Sequence, residues 1–377
     1  MIQTTAVLYD PFGARYAAIA DFIDGGSGAA LDYTLTSAPG AIGACVLTVP
    51  PRIDTGVITE DWRIGIWRSI HGRAAVLDGG ALFLVRQIED RAQSSTLTAL
   101  HATTLLSERR AAYPGDTGFI IKSGPADNLI KAFARQNMGS AITSIRDGSE
   151  TQANLSAWLT IAGDVGQGAT VAIDDVARQP LADICTRLAD LSAQRGVYLT
   201  YDIVAASDTT LELRTYIGQR GVDRRQSRGN SLRLSEASGT LENVRVVRDY
   251  TRLRTMSIAG GAGDGSGQAI ATAEDTARMA RSPFGRREHY VSSTGTGDLV
   301  ALQGVADSAL RSARETVVLQ GDVRDTDVAI RGIHYDVGDL ATAVHPRTGL
   351  LLDVRIEQLR VSIGGGRDAQ QLTVRSL

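Results

Sequence analysis

Lysine is almost missing from this sequence. It stands only at Lys122 and Lys131, and every other basic side chain is arginine. Arginine is enriched and lysine depleted at protein interfaces, so the bias suits an assembly component; codon bias from a GC-rich genome gives the same pattern. Cysteine occurs twice, at Cys45 and Cys185. Two distant cysteines form no disulfide framework and suit a reducing compartment, each read as a small buried hydrophobe. No run approaches the ~18 apolar residues of a membrane helix. The opening MIQTTAVLYDPFG lacks a basic stretch followed by a long apolar one, so no secretory leader is expected, and the chain is expected to be made and folded in the cytoplasm. A formal net charge of −3 leaves no electrostatic footprint for sequence-specific DNA binding.

The motifs of common chemistries are missing too. The histidines are His71, His101, His289, His334 and His345, none within five residues of another. With no His-Glu-x-x-His and no Cys-x-x-Cys, no local zinc site can be written. Asp174-Asp175 and Asp325/Asp327 offer oxygens to a divalent cation, but read better as solvated loop carboxylates. There is no Gly-x-Ser-x-Gly elbow. A glycosidase carboxylate pair is a question of geometry that acidic residues alone leave open. The loop Gly260 to Gly267 follows a strand and precedes a possible helix. It lacks a Lys-Ser/Thr ending, and its glycines at 260, 261, 263, 265 and 267 never space as two then three, so neither phosphate-loop fingerprint fits. Asn154-Leu155-Ser156 matches a glycosylation sequon without meaning in an unsecreted chain. No catalytic, cofactor-binding or metal-binding residue is assigned, and no cofactor is expected.

What is present is alternation. At 377 residues the chain should hold two or three cores. Residues 2–101 read as short strands: Thr4 to Tyr9, Asp32 to Ser37, Ala44 to Val49, Asp61 to Ser69, Ala81 to Glu89 and Ser95 to His101. Turn residues such as Pro11-Phe12-Gly13, Gly25-Gly26-Ser27-Gly28, Pro50-Pro51 and Asp78-Gly79-Gly80 link them, which indicates a barrel or sandwich. Residues 102–240 change character. A helical turn is expected over Thr103 to Arg110, and a helix over Asp127 to Met138 with Leu129, Ile130, Phe133 and Asn137 on one face. Pro180 to Arg195 is the clearest helix, with Leu181, Ile184, Leu188 and Leu191 at helical spacing and Gly196 just past the end. Strands over Val197 to Val204 and Thr210 to Ile217 make this an α+β middle, and Gly221 to Gly229 reads as a basic loop or linker.

Residues 241–377 hold a second β set interrupted by helices. Leu241 to Gly267 reads as two short strands with a turn at Asp249-Tyr250, then the glycine-rich loop. Thr272-Ala273-Glu274-Asp275 resembles a capping box, and Asp298 can cap a longer helix carrying Leu302, Val305, Ala309 and Ala313. In the tail, Leu350, Leu352, Val354 and Ile356 have one parity and Leu359, Val361 and Ile363 the other, so a β-bulge is expected near Glu357-Gln358. Gly364-Gly365-Gly366 allows a turn before a last strand with Leu372 and Val374. Arg224, Arg225 and Arg228 cluster, and Arg245, Arg248, Arg252 and Arg254 dot the strands. Such arginines form either a solvated face or a surface that pairs with carboxylates of a neighbouring subunit.

The order of these features resembles the tail-hub (baseplate-hub) proteins of long-tailed phages. An Asn-x-x-Val strand is followed by a strand ending in Gly260-Gly261, a variable loop, the segment Ser282-Pro283-Phe284-Gly285-Arg286-Arg287-Glu288, an Ala-rich helix, and Tyr335-Asp336-Val337-Gly338-Asp339. The resemblance implies a mainly β fold with an α+β middle: a first antiparallel barrel-like domain over 1–107, a middle domain over 108–235, and a second barrel-like domain over 236–377 with a helical insertion at about 270–315. It implies a structural protein without enzymatic activity, forming a homotrimeric ring at the tail tip. Expected partners are a distal-tail or tube protein, a tape-measure protein, and tail-fibre or receptor-binding proteins. DNA would pass through the lumen unread. Two alternatives stand beside it: a distal-tail or carbohydrate-binding β protein, and a hub with cell-wall hydrolase activity. Strands are expected to run to Leu377, so no fused lytic domain is expected, and the α+β middle is unexplained by the first.

Overall fold

The computed structural model describes residues 2–20, 22, 28–111, 122–139, 142, 154–173, 176–207, 209–229, 233–293, 297–323, 326, 329–365 and 367–377. Seven strands open the chain: β1 (Ile2–Tyr9), β2 (Arg15–Ile19), β3 (Ala30–Thr36), β4 (Ala44–Val49), β5 (Arg63–Ile70), β6 (Val76–Arg91) and β7 (Ser94–His101). Alternation places Leu31, Tyr33 and Leu35 of β3, and Cys45, Leu47 and Val49 of β4, in one core. β5 is covered on both faces. Ile64 and Ile66 enter that core, while Trp67 packs into a second one behind the sheet. Arg63, also buried, donates to the carbonyls of Thr209 (2.8 Å) and Pro11 (2.7 Å), which replace the water it loses.

The second core belongs to the middle of the chain. After a 3₁₀ turn at Ala102–Leu106 come β8 (Lys122–Pro125), α1 (Ala126–Met138), β9 (Leu159–Ile161), β10 (Thr170–Ile173), α2 (Leu181–Gln194), β11 (Leu199–Ala205) and β12 (Leu211–Ile217). All four residues of the expected α1 face are buried. Pro180 caps α2, whose Leu181, Ile184 and Leu188 pack with Leu199, Ile203 and Leu213 of the β11–β12 hairpin. Gly196 takes φ 82° beyond the helix, a conformation that costs glycine little. β9 joins the hairpin as a parallel partner of β12.

The last third departs from expectation in one place. Its elements are β13 (Arg233–Leu234), β14 (Leu241–Asp249), β15 (Met256–Gly260), β16 (Ile270–Glu274), the short α3 (Thr276–Met279), β17 (Glu288–Ser292), α4 (Leu299–Ser312), β18 (Thr316–Val323), β19 (Leu340–Val344), β20 (Leu351–Gly364) and β21 (Arg367–Ser376). β14 and β15 are consecutive but lie in different sheets: β14 pairs with β18, and β15 with β16 and β17. The expected helical insertion is therefore a small α+β unit. Its sheet is covered by α4, with Ala259, Ala271, Ala273, Leu302 and Ala306 between them. Thr272 to Glu274 belong to a strand rather than a capping box; the cap is Asp275, which accepts from the N–H of Arg278. Asp298 caps α4 as expected.

The fold is mainly β with an α+β middle, as expected. The two β sets are joined edge to edge. Among the described residues, thirteen strands form one sheet along β14-β18-β21-β20-β3-β4-β7-β6-β5-β1-β2, with β19 beside β20 and β13 beside β19. The join is β20 on β3, where Gln358 to Ile363 face Thr36 to Leu31. One core serves both sets, from Ala6 to Val374. No ladder among the described residues closes either set on itself.

Candidate functional site

Cys45 and Cys185 are free and buried, and burial pushes their thiols upward, the Cys185 thiol to about 12. Neither is a nucleophile. No group of three His, Cys, Asp or Glu residues among the described ones could hold a metal ion. Asp174, Asp175, Asp325 and Asp327 lie outside the described residues. His101 lies near a carboxylate: its Nδ1 is 3.0 Å from Thr103 Oγ1 and 3.4 Å from Asp202, while Thr103 donates to Asp202 at 2.8 Å. Arg220 pairs with the same carboxylate at 2.7 Å. His101, Thr103 and Asp202 are all buried, with the imidazole edge-on to Phe83, so the cluster clamps β11 to the end of β7 and offers nothing to a substrate. Burial holds the His101 imidazole below its ordinary value, against Asp202, which favours the charged form.

The glycine-rich loop is a connection inside the insertion. Gly261 N–H donates to the Ala269 carbonyl and Ala269 N–H to the Ala262 carbonyl, which closes the turn from β15 into β16. After a 3₁₀ turn at Gly265–Gly267 a strand follows it, not a helix. Asn154 accepts from the N–H of Ser156 in a local turn.

The arginines divide. Arg224 pairs with Asp339 (2.7 Å), Arg225 with Asp223 (2.7 Å) and Asp353, and Arg228 with Asp223 (3.5 Å). That cluster is satisfied within the chain. Its anchor is the last residue of the Tyr335–Asp339 motif: Asp339 is buried and also accepts from the N–H groups of Val222 and Asp336. Arg254 donates to the carbonyls of Thr251 and Leu253. Arg245 is exposed on β14 and has no carboxylate partner among the described residues.

The feature that stands out is a repeat that the sequence does not display. The first set runs β5-β6-β7-β4-β3; the second runs β19-β20-β21-β18-β14, and every one of these pairings is antiparallel. Both long strands carry a bulge at the same place, between Val85 and Gln87 against β7 and between Ile356 and Gln358 against β21. The bulge is bracketed alike. Asp61 N–H donates to the Val85 carbonyl and Val85 N–H to that of Trp62; Gly338 N–H donates to the Ile356 carbonyl and Ile356 N–H to that of Asp339. Asp61 (φ 65°) and Gly338 (φ 92°) are both left-handed. The Tyr-x-x-Gly-Asp motif is thus the second copy of a turn whose first copy is Ile58 to Trp62, with Ile58 and Tyr335 both in the core. A shared turn with dissimilar residues is invisible to sequence matching.

The repeat leaves two edges open. β6 runs past its β5 partner, so among the described residues Gln87 to Arg91 pair only with β7. β14 pairs with β18 alone among the described residues. Beside the open edge of β14 lies a groove of about 730 Å³ lined by Val244, Val246, Arg248 and His345 to Thr348.

The model of the family "Siphovirus ReqiPepy6 Gp37-like protein" matches residues 83–374. Among solved structures, the chain is similar to the tail protein of Neisseria meningitidis MC58 (TM-score 0.59, 11% identity, 99% of this chain and 96% of that one). It is similar to the 43 kDa tail protein of prophage MuSo2 from Shewanella oneidensis (TM-score 0.57, 11% identity, 98% of both chains). A third is the prophage tail protein gp18 from Listeria monocytogenes EGD-e (TM-score 0.52, 12% identity, 98% of this chain and 94% of that one). No curated protein matches the sequence. The chain belongs to the Siphovirus ReqiPepy6 Gp37-like family and has the fold of phage tail proteins.

Proposed function

We propose that this phage tail protein is the structural hub of the tail tip, three copies forming a ring that joins a six-fold tube or distal-tail protein to a three-fold tip. The observation that carries the reading is the internal repeat. Each chain holds two strand sets of one order, joined edge to edge into one sheet by β20 and β3. Three such chains offer six near-equivalent modules, which is what a ring between six-fold and three-fold neighbours needs. Closure also removes the open strand edges, which otherwise invite unwanted pairing. The role is mechanical, without catalysis or cofactor. Partners are the distal-tail or tube protein above, the tape-measure protein inside, and fibre or receptor-binding proteins outside. DNA passes the lumen unread, in keeping with a net charge of −3. The ring assembles in the host cytoplasm and resides in the virion.

Electron microscopy of the purified protein, together with antibody labelling of particles, tests this. The expected result is a three-fold ring with six similar lobes and label at the tail tip. A six-fold ring, or label along the tube, would favour a distal-tail or tube protein instead.

A further inference from the structure

We infer that the ring is sealed by main-chain pairing between Gln87–Arg91 of β6 in one copy and Asp249–Arg245 of β14 in the next. This rests on the ring reading above and adds the residues of the joint. The chain already contains one such joint, β20 on β3. The repeat says where its counterpart lies. The shared bulge makes Gln87 the counterpart of Gln358, and hence Glu89 that of Arg360 and Asp90 that of Val361. On the other side, Val374 faces Leu319, which faces Val246; Ala99 faces Cys45, which faces Tyr33. Val246 is therefore the counterpart of Tyr33, and Arg245 that of Asp32. Within the chain Arg360 faces Thr34 and Val361 faces Tyr33. Across the seam Glu89 would face Val247 of the next copy, and Asp90 its Val246.

Three observations support this occupant. Both segments are open edges. The groove beside β14 lies on the face of Val244, Val246 and Arg248, where Ile88 and Asp90 of the incoming strand would enter. The charges also match with their signs exchanged. In the chain, Arg360 pairs with Asp32 at 2.9 Å across the joint. At the seam the same two places hold Glu89 and the unpartnered Arg245, so a carboxylate meets a guanidinium again. Among the described residues Glu89 now pairs with its neighbour Arg91, which takes the place of Ser362 and would stand opposite Arg245, so the Glu89 carboxylate would lie between two guanidiniums. The in-chain joint is apolar where the seam is charged: Leu359 and Leu35 are buried, while their counterparts Ile88 and Arg248 are not. That difference lets copies fold separately before they associate.

The test is a pair of cysteines. Cys45 and Cys185 are fully buried and do not interfere. The variant Glu89→Cys/Val247→Cys should crosslink spontaneously between copies, giving covalent dimers and trimers on a non-reducing gel. Gln87→Cys/Val247→Cys, two residues out of register, should crosslink about tenfold more slowly, since diagonal neighbours stand ~7–8 Å apart. Separately, Glu89→Arg should raise the half-assembly concentration roughly tenfold, there being several seams in each ring, and Glu89→Arg/Arg245→Glu should restore it. Wild-type trimers without crosslinking by the in-register pair, or a charge exchange that fails to restore assembly, would overturn this seam and leave the ring standing. A wild-type protein that is monomeric at every concentration would overturn both.

Discussion

Removing the carboxylate of Asp78 should weaken the joint between the two β sets. Asp78 (β6) meets Arg331, in the segment before β19, through two contacts of 2.8 and 2.7 Å. Tyr33 of β3 donates to the same carboxylate at 2.5 Å and accepts from Arg331 at 3.0 Å. Arg331 is 1% exposed, and Asp78 holds its guanidinium charged despite burial. Asp78→Asn keeps the volume and takes from the buried cation the carboxylate it pairs with, leaving Asp336 as the carboxylate that still favours its charge, a loss of about 3–5 kcal/mol. Replacing both partners, as Asp78→Leu/Arg331→Met, removes the uncompensated charge and should recover most of that. Urea unfolding followed by tryptophan fluorescence reads the shift in midpoint, with Trp62 in the same core. A shift under ~1 kcal/mol for Asp78→Asn, or a double variant no better than the single one, would refute the coupling.

Further predictions follow from single positions. Leu188→Ala opens a cavity under the β11–β12 hairpin, where Leu188 is fully buried; the loss should be about 2–5 kcal/mol, and a melting shift near zero would show that the face is not packed in the isolated chain. His101 is held neutral by burial, so the folded state binds fewer protons than the unfolded one. Its contribution is present above the ordinary histidine value of ~6.5 and is lost as the pH falls below it. His101→Gln should flatten the pH dependence of melting there, and an unchanged slope would contradict the assignment. At the repeated turn, Gly338→Ala should cost about 1–3 kcal/mol, since φ is 92° and an added Cβ would stand 2.7 Å from Arg220 Cβ. Asp61→Gly at the equivalent place should cost less in the same melt, because it relieves φ 65° while losing an exposed pair with Arg86.

The helices and the bulge were legible because their signals are local. Pro180 and Gly196 bracket α2, and the parity change at Glu357-Gln358 sits where β20 slips against β21. Strand partners were not legible, because nothing in Leu241 to Gly260 says that its two strands answer to different sheets. Thr272 to Glu274 misled because its Thr-x-x-Asp pattern serves a strand equally well. The repeat was hidden most completely. Its signature is a left-handed turn and a bulge, built from Asp61 in one half and Gly338 in the other, and the core residues around them differ. Likewise, Arg245 reads as one of many arginines until the repeat makes it the counterpart of Asp32.

Native mass spectrometry of the purified protein, across protein and salt concentrations, tests the central claim most directly. The account predicts a closed species of three copies that loosens as salt screens the charged seam, while its main-chain pairing and apolar contacts persist. A protein that remains monomeric at every concentration, even with its tail neighbours present, would contradict it.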